Sequence, residues 1–148
     1  MTPTMSAENN KTLVSRFHED VFGKRDLSRI NEVIAPDFVQ YLPGATEPIR
    51  GPEGFGRWVA GLFEAFPDLE VPVEEILSED ERVVTRYLMR GTHQGSLMDI
   101  PPTGRRVEVA GMNVIRLSEG RFIEKRDEYD LFGLLKQLGA LPSRCREV

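Results

Sequence analysis

Two aspartates three residues apart, Asp127 and Asp130, close the acid-rich run RFIEKRDEYD (121–130), directly before the apolar stretch LFGLLKQLGALP (131–142). A carboxylate held where a strand meets an apolar helix can be buried, and a buried carboxylate can give and take protons as a general acid–base group. The rest of the chain must then supply a pocket for one of the two acids. Side chains alternate along a strand, so Ile123, Lys125, Asp127 and Tyr129 share one face and Glu124, Arg126, Glu128 and Asp130 the other, an order that a bulge would reverse. For Glu124, Lys125 and Glu128 an exposed, charged strand edge is the plainer expectation.

Other polar candidates are scattered. His18 lies between Val14 and Phe22 at the border of an apolar stripe, where it faces a pocket or snorkels at the surface, the second being the expectation. Tyr41 follows Gln40 at a strand end before the Pro43-Gly44 turn. His93 sits in GTHQG (91–95) between glycines, a setting that suits a loop anchor bonded to backbone. The two histidines fall on distant elements and have no cysteine companion beyond Cys145, so no metal centre is expected. No GxGxxG, GxxxxGK[ST], GxSxG, HExxH or CxxC occurs, which removes the usual support for dinucleotide, nucleotide, serine-hydrolase and zinc chemistry.

The elements that would position these residues follow from hydrophobic period. Leu13, Phe17 and Val21 recur every fourth residue in a helix over 8–22, ended by Gly23. Asp26 reads as the N-cap of a short helix over 27–34 that Pro36 stops, and 38–42 reads as a strand. Gly51-Pro52 opens a third helix bearing Phe55, Trp58, Val59, Leu62, Phe63 and Phe66, an aromatic face that packs a core and would line any cavity. The period then changes to two: Leu69, Val71 and Val73 alternate, and strands follow over 83–89, 107–117 and 122–129 before a last helix over 131–138. Helices followed by an antiparallel meander predict an α+β domain, a cone of curved antiparallel sheet packed on three N-terminal helices with a short C-terminal helix. One domain over 1–148 is expected, with an ordered core of about 9–142.

A chain of 148 residues with 19 basic and 24 acidic side chains carries a net charge of −5, with the signs interspersed. Nucleic acid and anionic membrane are poor partners for such a surface. No apolar run approaches the roughly 18 residues of a membrane span, no secretion signal is evident, and a lone cysteine suits a reducing compartment, so a cytoplasmic location is expected. Apolar residues on both faces of strands 83–89 and 107–117 predict a homodimer or higher homo-oligomer.

Several segments taken together resemble the SnoaL-like family of polyketide cyclases, within the nuclear-transport-factor-2-like fold: PDFVQYLPG (36–44) with Gly51, AFPDLEVPVEEIL (65–77), RGTHQGSLMDIPPTGRRVEVAG (90–111), SEGRFIEKRDEYD (118–130) and LFGLLKQLGALP (131–142). The resemblance implies a cone-shaped α+β barrel and a cofactor-free, metal-free aldol ring closure of a polyketide ester. It also implies an aspartate base near the end of the last strand, which maps onto Asp130, while Asp127 matches a more variable position. Relatives often carry His-Trp where this chain has Lys125-Arg126, and a histidine where it has Tyr41; Arg126 is the neighbour most able to disturb the proposed base. Substrate contacts are expected from His18, Tyr41, Trp58, Phe63, Arg86, His93, Asn113 and Arg126, and the substrate is expected to be a hydrophobic polyketide or polycyclic molecule. The fold also serves enzymes that assist hydroxylation, isomerisation or epoxide opening, and non-catalytic binding modules, so these remain alternatives.

Overall fold

The computed structural model of the protein describes residues 6–141; Cys145 lies outside them. The Ser6 side chain accepts from the Asn9 amide and starts helix α1, Ala7–His18, whose buried face carries Val14 and Phe17. The helix continues as one π-helical turn over Glu19–Gly23, which buries Val21. Helix α2, Arg29–Val33, is shorter than expected and its N-cap is Ser28, not Asp26. Asp26 instead accepts from both the amide and the hydroxyl of Ser28, a local turn that competes with capping.

Strand β1, Ile34–Tyr41, begins well before the expected Phe38 because Pro36 is accommodated where the pairing register shifts between Ile34 and Val39. It pairs with the two-residue β2, Ile49–Arg50, which leads through Gly51, at φ 68°, into helix α3, Gly51–Ala65. The remaining strands are β3, Val73–Glu79; β4, Arg82–Thr92; β5, Arg106–Ser118; and β6, Arg121–Tyr129, followed by helix α4, Leu131–Gln137. Leu69 and Val71 precede β3, where the chain meets β4 at the Glu70–Arg90 bridge and the Leu88 amide donates to the Pro72 carbonyl. The six-stranded order is β2-β1-β6-β5-β4-β3, a curled, unclosed sheet of the expected α+β class. β1 enters parallel to β6, whereas the sheet's other pairings are antiparallel, so no hairpin joins β1 to β6.

β5 shows why the sheet has an inside: Val107, Val109, Gly111, Asn113, Ile115 and Leu117 are buried, while Arg106, Glu108, Ala110, Met112 and Val114 are exposed. Two apolar clusters sit on that inner face. One gathers Phe17, Phe38, Phe55 and Phe122 under α1–α3, with the Phe17 and Phe122 rings edge to face at 4.8 Å. The other gathers Phe66, Leu69, Val109, Leu134 and Leu138 beneath α4. Each fully buried phenylalanine contributes roughly 1.5–3 kcal/mol of transfer free energy. In β6 the register slips by one residue between the Leu117–Phe122 and Arg116–Glu124 pairs, leaving Ile123 as a bulge. The bulge lets Phe122 and then Lys125, Asp127 and Tyr129 all face inward.

The loop after β4 is anchored by His93. Its ring accepts the Thr103 amide at Nδ1 (3.2 Å), its backbone bonds Arg105 and Gly104, and the ring lies 5.7 Å from that of Phe66. Gly95 then runs so close to the end of α3 that an added Cβ would lie 2.2 Å from the Glu64 carbonyl oxygen. Gly95→Ala is expected to cost about 1–3 kcal/mol in chemical denaturation. Gly61→Ala in α3, where a Cβ meets nothing within 4 Å, is expected to be neutral or stabilising, by up to about 1 kcal/mol.

Candidate functional site

Between the two clusters lies a cavity of about 490 Å³, walled by Phe17, Phe55, Ile115 and Phe122 from one and Phe66, Val109 and Leu134 from the other. That volume falls within the range of small-molecule sites, as does its largely apolar wall. Its polar residues stand in rows across the inner face of the sheet. The antiparallel register of β4, β5 and β6 sets Thr85 opposite Asn113 and Asn113 opposite Asp127. The next row is Tyr87, Gly111 and Tyr129, and the row on the other side is Val83, Ile115 and Lys125.

Asp127 is 3% exposed and is the only carboxylate on the cavity wall among the described residues. Its Oδ2 accepts from Gln40 Nε2 at 2.8 Å and lies 3.2 Å from Lys125 Nζ. Oδ1 is less engaged, with the Tyr87 hydroxyl donating from 3.4 Å. Gly111 makes that contact possible, because a Cβ there would fall 2.6 Å from the Tyr87 ring. Burial, followed by the charge of Asp127 and the bond to it, holds the Tyr87 phenol well above its ordinary pKa range, and burial and the same charge raise Tyr129. Both phenols therefore stay protonated. The Thr85 hydroxyl donates to Asn113 Oδ1 at 2.8 Å, which leaves the Asn113 amide nitrogen available as a donor.

His18 lies on the wall rather than snorkelling at the surface. Its Nε2 donates to the Val71 carbonyl at 2.6 Å, and its ring tilts against Phe22 at 5.1 Å. Its pKa is lowered, first by burial and then by the charge of Lys125, against the opposing pull of the Val71 carbonyl, so the ring is neutral and Nδ1 is an acceptor. Lys125, expected on an exposed edge, is instead buried, its ammonium 4.9 Å from the Trp58 ring and 5.5 Å from that of Phe55.

The structure thus brings together Asp127, His18, Trp58 and Asn113 of the expected site. It does not bring in Asp130, which is exposed and accepts from the Gly133 amide at 2.8 Å as the N-cap of α4. Strand alternation sends Asp130 away from Asp127, and the cap then occupies its carboxylate. Tyr41 is 40% exposed and lies beneath the Arg126 guanidinium, 4.2 Å from its ring centroid, while Arg126 also bonds Glu124; both residues face outward. Arg86 is on the outer face, paired with Glu74 and Glu75. Phe63 packs on Phe22 under Arg25 without reaching the wall, and His93 holds its loop. Lys125, Tyr87, Thr85 and Gln40 were missed as site residues; the alternation 83, 85, 87 and 125, 127, 129 was the available signal. Among the described residues no group of three or more His, Cys, Asp or Glu is placed to hold a metal ion, and no helix is long and apolar enough to cross a membrane.

A curled sheet folded over helices, enclosing a greasy cavity with one buried carboxylate, defines a small-molecule pocket protein of the α+β cone class. The chain belongs to the SnoaL-like polyketide cyclase family, whose model matches residues 12–138, and it is an enzyme of the cyclase type. It is 37% identical over 107 residues to an aklanonic acid methyl ester cyclase of Streptomyces peucetius, covering 68% of this chain and 73% of that protein. It is 32% identical over 112 residues to a nogalonic acid methyl ester cyclase of Streptomyces nogalater, covering 74% and 83%. The crystal structure of a SnoaL-like protein from Jannaschia sp. CCS1 superposes with a TM-score of 0.85 at 28% identity, covering 96% of this chain and 99% of that one.

His18 generates a pH-dependent stability. Its folded pKa lies below the ordinary 6.5, so between the two values the unfolded chain binds the extra proton and stability rises with pH. Thermal unfolding is expected to show a loss of stability as pH falls below 6.5, before the carboxylates titrate, and His18→Gln is expected to flatten that part of the profile.

Proposed function

We propose that the protein closes a carbon ring by intramolecular aldol addition within a hydrophobic polyketide ester, with Asp127 as the base and acid. The observation that carries this reading is the single carboxylate on the cavity wall, whose Oδ1 is the less engaged oxygen. Asp127 takes the proton from the carbon α to a carbonyl, and the C–H electron pair passes into the enolate. The enolate carbon then adds to a second carbonyl of the same molecule, and the new alkoxide recovers the proton from Asp127. Asn113 is a donor to the substrate's oxygens, and the Tyr87 phenol becomes a second when it leaves its 3.4 Å contact with Asp127 Oδ1. The reaction needs no redox partner, since every proton and electron pair stays with the substrate and Asp127. The polyketide methyl esters for which the relatives are named supply the substrate class, and the aromatic wall of Phe17, Phe55 and Trp58 suits fused rings. A cytoplasmic location is part of the same proposal.

A homodimer is proposed as well. Leu77, Met112 and Val114 are 59%, 48% and 38% exposed on the outer face of the sheet, an apolar strip bordered by the Arg86–Glu75 and Arg116–Glu124 pairs.

Asp127→Asn is expected to lower turnover of such a methyl ester by roughly 10²–10⁴-fold. Asp130→Asn is expected to leave turnover and stability nearly unchanged, since asparagine caps a helix about as well, whereas Asp130→Ala costs about 1 kcal/mol of stability alone. The reverse pattern, with Asp130 essential and Asp127 dispensable, overturns the assignment. Light scattering at micromolar concentration is expected to return the mass of a dimer, and Met112→Glu to shift it to monomer.

A further inference from the structure

We propose that Lys125 is the oxyanion site: its buried ammonium binds the enolate oxygen formed when Asp127 removes the substrate proton, and the pocket accordingly accepts ionised enols and aryl hydroxyls on fused rings. The proposal rests on Asp127 as the base and adds the group that receives the charge Asp127 releases.

A lysine is seldom buried without a partner, and the Lys125 side chain is 8% exposed. It has one anionic partner, Asp127, and two ring faces, Trp58 and Phe55, that attract the cation without accepting a conventional hydrogen bond. An ammonium has three N–H donors in fixed tetrahedral spread, so a pair with one carboxylate leaves donors for an oxygen in the cavity that Lys125 lines. Gln40 also donates to Asp127 Oδ2, so the hydrogen-bonding demand of that oxygen does not rest on Lys125 alone. Nor does a buried ion pair by itself argue for stability, since desolvating both ions offsets their attraction.

Charge accounting selects the role. In the resting site Asp127 is negative, Lys125 positive and His18 neutral, so this part of the wall is balanced. When the proton moves, the C–H bond breaks, its electron pair ends on the carbonyl oxygen and Asp127 becomes neutral. The negative charge has then crossed from one side of the ammonium to the other, from the wall to the substrate, and the net charge of wall and substrate together is unchanged. Without Lys125 the same step would place an oxyanion in an apolar cavity with only neutral donors, Tyr87 and Asn113. His18, held neutral and already donating to Val71, does not compete for that oxygen through Nε2. The ordering Trp58 and Phe55 impose on the ammonium keeps it where the charge develops, which is the condition for electrostatic preorganisation.

The test uses 2-naphthol, a fused-ring enolate mimic whose ultraviolet absorption distinguishes naphthol from naphtholate. Asp127→Asn stands for the base after it has taken the proton. In that variant the bound probe is expected to be ionised well below its solution pKa, with an ionisation constant about tenfold or more above that in Asp127→Asn/Lys125→Met. Asp127→Asn/Lys125→Arg is expected to restore most of the shift, because it restores the charge. Lys125→Gln replaces Lys125→Met should the latter fail to fold. Equal ionisation with and without the Lys125 charge overturns the proposal, as does failure of naphthol to bind the Asp127→Asn protein. Loss of turnover in Asp127→Asn is read separately, so Asp127 can stand as the base while Lys125 falls, and the reverse.

Discussion

The arrangement that the rest of the structure serves is a carboxylate kept inside an apolar shell. Burying Asp127 is costly unless its oxygens are bonded, and three elements contribute what is needed. β1 supplies Gln40, β6 supplies Lys125 two residues earlier on the same face, and β4 reaches across the bare backbone of Gly111 with Tyr87. Each partner depends on strand register: a slip of one residue in β4 or β5 would turn Tyr87 or Asn113 to the solvent face. The parallel entry of β1 beside β6, with Gln40 facing Lys125, is therefore tied to the chemistry as much as to the sheet.

The cavity lies where the inner face of the sheet is covered by two apolar clusters, with the partly buried Phe22 and Phe63 packed against both. α1 and α3 close one end with Phe17 and Phe55 and α2 with Ile30 and Val33, and α4 closes the other with leucines. The space between them is bounded by large rings on one side and by the Thr85–Asn113–Asp127 row on the other. A binding site of this kind trades close packing for room, and the paired strands beneath it hold the polar row in place.

Asp130 shows how one acid is excluded from such a site. It stands three residues from Asp127, on the strand face that looks outward, and it is the residue at which β6 gives way to α4. Its carboxylate serves the Gly133 amide, one of the unpaired donors at the helix start. The two aspartates thus divide structural and site duties across a single strand end. The arginine beside them divides in the same way: Arg126 lies on the outer face over Tyr41, and the cation that meets Asp127 is Lys125.

Much of the architecture was legible in the residue pattern. Periods of 3.6 and 2 located α3, α4, β5 and β6 to within a residue or two, and α1 and β4 apart from the π-turn after His18 and the last three residues of β4, because each has one buried and one exposed face and local sequence records that directly. The resemblance over most of the chain pointed to the family, and the alternation of β6 already set Lys125 and Asp127 on one face and Asp130 on the other. What the sequence could not decide was which of those faces was inside. Gln40 and Tyr87 reach Asp127 from 87 and 40 positions away, through the parallel pairing of β1 with β6 and the near approach of Tyr87 over Gly111, and contacts of that range leave no local period to read. The same reason separated Lys125 from its neighbours in character: a lysine in an acid-rich strand looks solvated until the rings of Phe55 and Trp58, brought by a helix 70 and 67 residues earlier in the chain, cover it.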